Sequence, residues 1–279
     1  MFSTLRGRSL SALATLLVAG LFTATAHATP VTITSGDSSL TYDPASEHGQ
    51  LSWDVDGVNQ ESEAWLWGTN TDNAQAQVTN VFSTANLMSA TFTGDGFNMV
   101  LGITLTGAAP GSGTAAVNET FTFNNTSDAS MNLELVDYEH FMIGGTAGNN
   151  TLTLSGSPVN TATQTDPLGD SVNVTATGGA SAPDEFQIGT GGSVLSALSS
   201  SSTYFLNDNS TGPLFGDDDF AFEWNPTVAA GGSFQISVNK LIQPGGQAVP
   251  LPSAAYGASL LLGLLAAVRI TQKGLRALA

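Results

Sequence analysis

The feature that most limits the folds open to this chain is a two-residue alternation of apolar and polar side chains. Successive side chains of a β-strand point to opposite faces, so this alternation gives each strand one apolar and one polar face. We therefore expect an all-β fold of antiparallel strands, each with one face in a core. The alternation recurs in four segments, residues 97–105, 117–123, 131–135 and 234–238.

Turn sequences separate the alternating segments. Asp56-Gly57 and Gly94-Asp95-Gly96 are typical of hairpins, whereas residues 189–202 are rich in Gly and Ser and predict a loop. Short strands joined by such turns favour a single antiparallel β-sandwich of Greek-key or jelly-roll type. A parallel β-helix is the alternative, but its regular short repeat is absent from the sequence.

The N-terminus, residues 1–28, has the pattern of a secretory signal peptide. Arg6 and Arg8 precede an apolar stretch at residues 10–22, and Ala26-His27-Ala28 fits an A-x-A cleavage site. We expect Sec-type export and cleavage by signal peptidase after Ala28.

The C-terminus, residues 249–279, has three parts in a fixed order. A short motif, Val249-Pro250-Leu251-Pro252-Ser253, precedes an apolar run at residues 254–268, and a basic tail follows with Arg269, Lys273 and Arg276. As a helix the run would extend roughly 22 Å at ~1.5 Å per residue, and the basic tail predicts that this end stays cytoplasmic. Residues 243–248 predict a Gly/Pro linker, which leaves residues 29–242 as the body.

This order of segments resembles the PEP-CTERM class of exported bacterial proteins, which an exosortase processes. The signature of that class usually reads Val-Pro-Glu-Pro, and Leu251 here occupies the Glu position, as in a VPLP variant. The resemblance implies transient anchoring in the inner membrane and processing by an exosortase-like protease. Release to the cell envelope or the extracellular space would follow, with exopolysaccharide as a potential partner.

The charge of the body excludes several functions. It contains all 23 acidic residues of the chain and only one basic residue, Lys240, so its net charge is 1 − 23 = −22. Nucleic acid is therefore not expected as a partner, because its binding depends on Lys and Arg. The chain has no Cys, which excludes thiol catalysis, disulfides and Cys-ligated metals.

Clustered carboxylates are the candidates for a cation site. Asp217, Asp218 and Asp219 follow Gly216 in a turn-like context, and Ca²⁺ prefers such oxygen ligands. The spacing does not match an EF-hand loop, so a solvated acidic turn is the alternative and no cofactor is required. Asp54 and Asp56 form a second candidate pair.

Trp65 and Trp67 are the candidates for carbohydrate binding. They are two residues apart, so in a strand they would face the same side and form a stacking platform if exposed. The alternative is that these rings, like those of Trp53 and Trp224, fill the core.

Catalytic motifs are not apparent in the sequence. After signal cleavage only His48 and His140 remain as histidines, and no Ser lies in a G-x-S-x-G motif. The run Asp137-Tyr138-Glu139-His140 is the densest polar segment. Asp137 and Glu139 continue the apolar face that ends at Leu135, which indicates either a strand leaving the core or the edge of a site.

These observations favour an exported structural protein of the envelope or extracellular matrix that is not an enzyme. The alternatives are a carbohydrate- or calcium-binding module and, less favoured, a secreted hydrolase with an open cleft containing His140.

Overall fold

The structure of the chain, a computed structural model, describes residues 29–46, 48–68, 77–179, 181–200 and 206–245. The predicted signal peptide, the end of the predicted linker and the whole C-terminal motif, apolar run and basic tail lie outside the described residues. Among the described residues, no helix is both long enough and apolar enough to cross a bilayer.

The described residues form nineteen strands, one α-helix and one short 3-10 helix. The strands of the first half are β1 Val31–Ser35, β2 Ser38–Tyr42, β3 Gln50–Val55, β4 Val58–Asn59, β5 Glu61–Gly68, β6 Gln77–Ser83, β7 Leu87–Gly94, β8 Phe97–Gly107 and β9 Ala115–Asn125. Those of the second half are β10 Met131–Asn132, β11 Leu135–Phe141, β12 Asn150–Gly156, β13 Val159–Thr165, β14 Ser171–Gly178, β15 Glu185–Thr190, β16 Leu214–Gly216, β17 Asp218–Trp224, β18 Thr227–Val228 and β19 Ser233–Gln243. The 3-10 helix is Ile143–Gly145, and α1 is Ser193–Ser200.

Two large antiparallel sheets contain most of these strands. Sheet A has the order β1-β2-β3-β5-β11-β17-β15, with β4 paired to β3, and sheet B has the order β16-β12-β13-β14-β19-β9-β8-β7-β6. The strands β10 and β18 form a separate pair. The last strand, β19, lies between β14 and β9 and so joins two meanders into one nine-stranded sheet.

The prediction of an all-β, antiparallel architecture is confirmed, with sheets larger than those of a simple sandwich. Both predicted hairpins form: Val55 pairs with Val58 across Asp56-Gly57, and Gly94 pairs with Phe97 across Asp95-Gly96. Asp56 and Gly57 both have positive φ, 51° and 78°, as a tight two-residue hairpin turn requires.

The predicted loop at residues 189–202 is wrong in part, because Ser193–Ser200 forms α1. Val194 and Leu198, four residues apart on one side of the helix, are buried against Val136 and Ala221 of sheet A. Burial of this small apolar stripe stabilises a helix that its Ser-rich composition does not predict.

The core lies between the sheets, and residues of both sheets form one continuous apolar cluster. The alternating positions of the sequence supply it, as period two requires. Its largest fully buried side chains include Trp53, Trp224, Phe92, Phe123 and Phe141.

A charged cluster interrupts this apolar core. Lys240 of β19 is buried with Glu61, Glu119 and Glu139, and its Nζ forms ion pairs with all three. Asp137, also on the inner face of β11, is 1% exposed. The sequence predicted that Asp137 and Glu139 mark either a strand leaving the core or the edge of a site; both alternatives are wrong, because both side chains are buried in the core. Lys240 of sheet B faces these acids inside the sandwich, one amine against several carboxyl groups.

Candidate functional site

The outer face of sheet A, turned away from the core, brings together titratable side chains from three strands. In the strand register His140 of β11 is opposite Glu63 of β5 on one side and Asp219 of β17 on the other. Directly opposed residues in antiparallel strands have Cβ atoms about 4.5–5.5 Å apart. The three side chains therefore form one row across the sheet, which we call the His140 row.

Both ring nitrogens of His140 form hydrogen bonds. Its Nε2 lies 2.7 Å from Oδ1 of Asp217, and its Nδ1 lies 2.9 Å from Oγ of Ser62. An ionised carboxylate only accepts hydrogen bonds, so Nε2 donates to Asp217. This arrangement fixes the orientation of the ring.

Solvent reaches the His140 row from the Asp217 and Glu63 sides. The side chain of Asp217 is 45% exposed, and those of His140 and Glu63 are 17% and 14% exposed. Oε1 of Glu63 lies 2.6 Å from Nδ1 of the exposed His48. The site thus contains two imidazole–carboxylate pairs, one centred on His140 and one on Glu63.

The third member of the row, Asp219, has a structural role. Its Oδ2 accepts the backbone N–H groups of Val194 at 3.0 Å and Leu195 at 3.4 Å, at the start of α1, and the hydroxyl of Tyr138 donates to it at 3.4 Å. A carboxylate at a helix N-terminus is favourable. Burial nevertheless raises the pKa of Asp219, and Asp219 anchors the helix that covers this part of the sheet.

The three consecutive aspartates, predicted as a calcium candidate, do not converge. Asp217 contacts His140 and Asp219 contacts α1, whereas Asp218 lies on the face of Phe220 and is fully buried. Burial and the neighbouring carboxylates raise the pKa of Asp218 to about 6. Within the described ranges, no group of three or more His, Asp or Glu side chains is arranged to hold a metal. Calcium binding stays a prediction.

The second predicted cation pair also has protein partners. Both carboxylate oxygens of Asp56 accept backbone N–H groups, from Gly111 at 2.6 Å and Gly113 at 2.9 Å. Asp54 accepts a hydrogen bond from Ser39 at 3.5 Å. Asp56 therefore connects the β3–β4 turn to the β8–β9 loop.

The two predicted sugar-stacking rings do not form an exposed platform. Trp65 is 5% exposed, stacks on Tyr42 at 6.0 Å and meets Phe92 edge-on at 6.5 Å. Trp67 is half-buried against the apolar core. The rings pack into or against the core because burial of the large apolar surface of Trp stabilises the fold.

A pocket of about 420 Å³ lies beyond the end of β11, separate from the His140 row. His140, Glu63 and Asp217 are not among its lining residues. Two of its aspartates hold backbone groups: Asp166 accepts N–H groups of Leu168 and Asp170, and Asp170 accepts that of Gly245. The walls include Gln60, Gly144, Asp166, Leu168, Asp170 and Pro244.

The sequence identified His140 and Asp217 separately but gave no signal that they meet. Ser62 and Glu63 were missed altogether, because nothing in their local sequence marks them. Only the pairing of β5, β11 and β17 brings these segments together.

Comparison with known proteins bears on the fold alone. No protein-family model matches the sequence, and no curated protein sequence matches it. Among solved structures, a protein of Escherichia coli K12 proposed to be an aldose 1-epimerase superposes with a TM-score of 0.54 at 9% identity, over 77% of this chain and 99% of that chain. A bacterial glucoamylase, solved with acarbose, superposes with a TM-score of 0.51 at 11% identity.

The glucoamylase match covers 85% of this chain, which spans only 35% of the glucoamylase. Both similar proteins bear the names of enzymes that act on sugars. The expectation that this chain is not an enzyme is contradicted at the level of the fold, since proteins that share the fold bear the names of enzymes. The expectation rested on the lack of local motifs in the sequence.

Proposed function

We propose that this chain is an exported protein of the cell envelope or extracellular matrix whose sandwich binds a carbohydrate at the His140 row and transfers protons there. The observation that carries the proposal is the row itself. A histidine oriented by Asp217 and a second carboxylate, Glu63, are neighbours on a sheet that solvent reaches.

The chemistry that these groups support best is the interconversion of sugar anomers. Opening and reclosing an aldose ring requires removal of a proton from the anomeric hydroxyl and delivery of a proton to the ring oxygen. A histidine and a carboxylate within reach of one ligand can divide these two tasks. We assign the acid–base residues as His140 and Glu63.

The supporting residues act through these two groups. Asp217 orients the imidazole of His140 through the contact with Nε2, as a carboxylate does in other His-containing sites. Oγ of Ser62 lies 2.9 Å from the other ring nitrogen of His140, Nδ1. The fold similarity to the proposed aldose 1-epimerase of Escherichia coli agrees with this assignment.

The cellular location is part of the proposal and rests on the two terminal segments. Residues 1–28 would direct Sec-type export and be removed by signal peptidase. Residues 249–279 would hold the protein in the inner membrane through a helix at 254–268 until an exosortase-like protease acts. The released body would then meet extracellular polysaccharide. Its charge of −22 favours a neutral glycan over an anionic one, since like charges repel.

The test is the rate of anomer interconversion with purified body, followed by polarimetry on freshly dissolved glucose and galactose. We expect acceleration by the wild type and a loss of roughly 100-fold or more in His140→Ala and Glu63→Gln. Asp128→Asn, in an exposed loop, is the matched control and should keep full activity. Calorimetry with neutral polysaccharides measures binding separately. If the wild type neither accelerates interconversion nor binds any sugar, the proposal fails.

A further inference from the structure

The only basic side chain of the body is enclosed by carboxyl groups in the centre of the sandwich. Nζ of Lys240 lies 2.8 Å from Oε2 of Glu139, 3.0 Å from Oε1 of Glu61 and 3.1 Å from Oε1 of Glu119. The side chains of all four residues are at most 3% exposed. Water therefore does not separate the amine from the acids.

The three glutamates differ in their other contacts. Glu61 accepts a hydrogen bond from the side-chain amide of Gln50. Glu139 is the glutamate nearest to the amine, and its carboxyl also contacts that of Glu61. Burial raises the pKa of Glu139 well above its usual range, and its carboxyl is the one closest to Nζ, which makes it the best placed of the three to react.

Charge is unbalanced within this cluster. Four buried acids, the three glutamates and Asp137, face a single amine. Burial lowers the pKa of Lys240, but the surrounding carboxylates outweigh this effect and the net shift is upward. An amide is neutral, so its formation here requires the proton released by the amine to stay on a neighbouring carboxyl, and the raised pKa of Glu119 favours this.

We propose that Lys240 and Glu139 form an intramolecular amide bond after the chain has folded. Lys240 transfers one proton from its ammonium group to the Glu119 carboxylate, whose Oε1 lies 3.1 Å from Nζ. The free amine attacks Cδ of the protonated Glu139 carboxyl, and a bond forms between Nζ and Cδ. The bond from Cδ to the hydroxyl oxygen breaks, and this oxygen leaves as water with a second proton from the nitrogen. Glu119 ends protonated, and no oxidant or other co-reactant is required.

The bond would join the two sheets covalently. Glu139 belongs to β11 of sheet A and Lys240 to β19 of sheet B. The chain has no Cys and so no disulfide. An amide bond would provide the covalent link between sheets that disulfides give to other exported β-sandwiches.

Trypsin provides a direct test, because the body contains no other Lys or Arg. Leu241 follows Lys240, so an unmodified lysine is cleavable once the protein is denatured. We expect the denatured wild-type body to stay uncut at Lys240. Digestion with a second protease should then yield a branched peptide containing Lys240 and Glu139, lighter by one water, about 18 Da.

Two variants control this experiment. Asp95→Lys adds a lysine in the exposed β7–β8 turn and must be cut once, after position 95, which proves that denaturation is complete. Glu139→Ala must become cleavable at Lys240. The tryptic digest of the wild type tests the proposal even if the Glu139→Ala variant does not fold. Cleavage of the denatured wild type at Lys240, with no loss of mass, overturns the proposal, and a branch to Glu61 or Glu119 overturns the assignment to Glu139.

Discussion

Nε2 of His140 lies 2.7 Å from Oδ1 of Asp217, although the two residues are 77 positions apart in the sequence. The contact exists because β11 and β17 are antiparallel neighbours and His140 pairs with Asp219 in their register. Asp217 therefore reaches the ring from the residue just before β17.

Replacing the orienting carboxylate should slow catalysis without abolishing sugar binding. Asp217→Asn keeps the size of the side chain but removes the charged acceptor that orients His140. We expect kcat for anomer interconversion to fall at least ~10-fold, with KM little changed. Asp217→Glu should restore part of the rate. An unchanged kcat in Asp217→Asn would show that the contact has no role in proton transfer.

Stability should depend on pH through Asp218, whose pKa in the folded protein is raised to about 6. A raised carboxyl pKa means that the folded state binds the proton more tightly than the unfolded state. The stabilisation that results from the raised pKa of Asp218 is therefore complete below the unfolded pKa of 3.8, and it is lost as the pH rises to about 6.

Asp218→Asn removes this dependence, because the amide does not ionise. Above pH 6 we expect the variant to be more stable than the wild type, by up to about 2 kcal/mol after allowance for screening by solvent. The advantage should shrink towards pH 4. Urea unfolding at pH 4 and above pH 6 measures the difference in stability between the variant and the wild type. An equal difference at the two pH values would contradict the prediction.

Trp65 should contribute to stability more than to ligand binding. Its ring is buried between Tyr42 and Phe92, and truncation leaves a large cavity. We expect Trp65→Ala to lower the free energy of unfolding by about 3–5 kcal/mol. Denaturant unfolding gives the value. A variant of wild-type stability with impaired sugar binding would instead support a stacking role.

The C-terminal motif should control maturation. Replacing both Pro250 and Pro252 with Ala should leave an unprocessed, membrane-retained form in the native host. Cell fractionation and immunoblotting against the body distinguish the precursor from the mature product. Normal processing and release of the double variant would contradict the sorting prediction. A substitution of the exposed Asp128, which lies in the body, is the matched control.

Local pattern predicted the strands better than the site. Phe121 and Phe123 could be placed in the core because period-two alternation depends only on backbone geometry. The hairpin at Asp56-Gly57 was predictable for the same reason. Helix α1 was not, because its formation depends on burial of Val194 and Leu198 by sheet A rather than on its own composition.

The sequence by itself determined an acidic β body with one lysine, flanked by segments typical of export, because charge, composition and alternation are properties of neighbouring residues. Only the tertiary structure decided where the charged side chains act. Strand pairing placed His140 beside Glu63 and Asp217, and stacking of the sheets placed Lys240 against Glu139. Both relationships join segments far apart in the chain, and their register is fixed by burial of the whole core rather than by any local pattern.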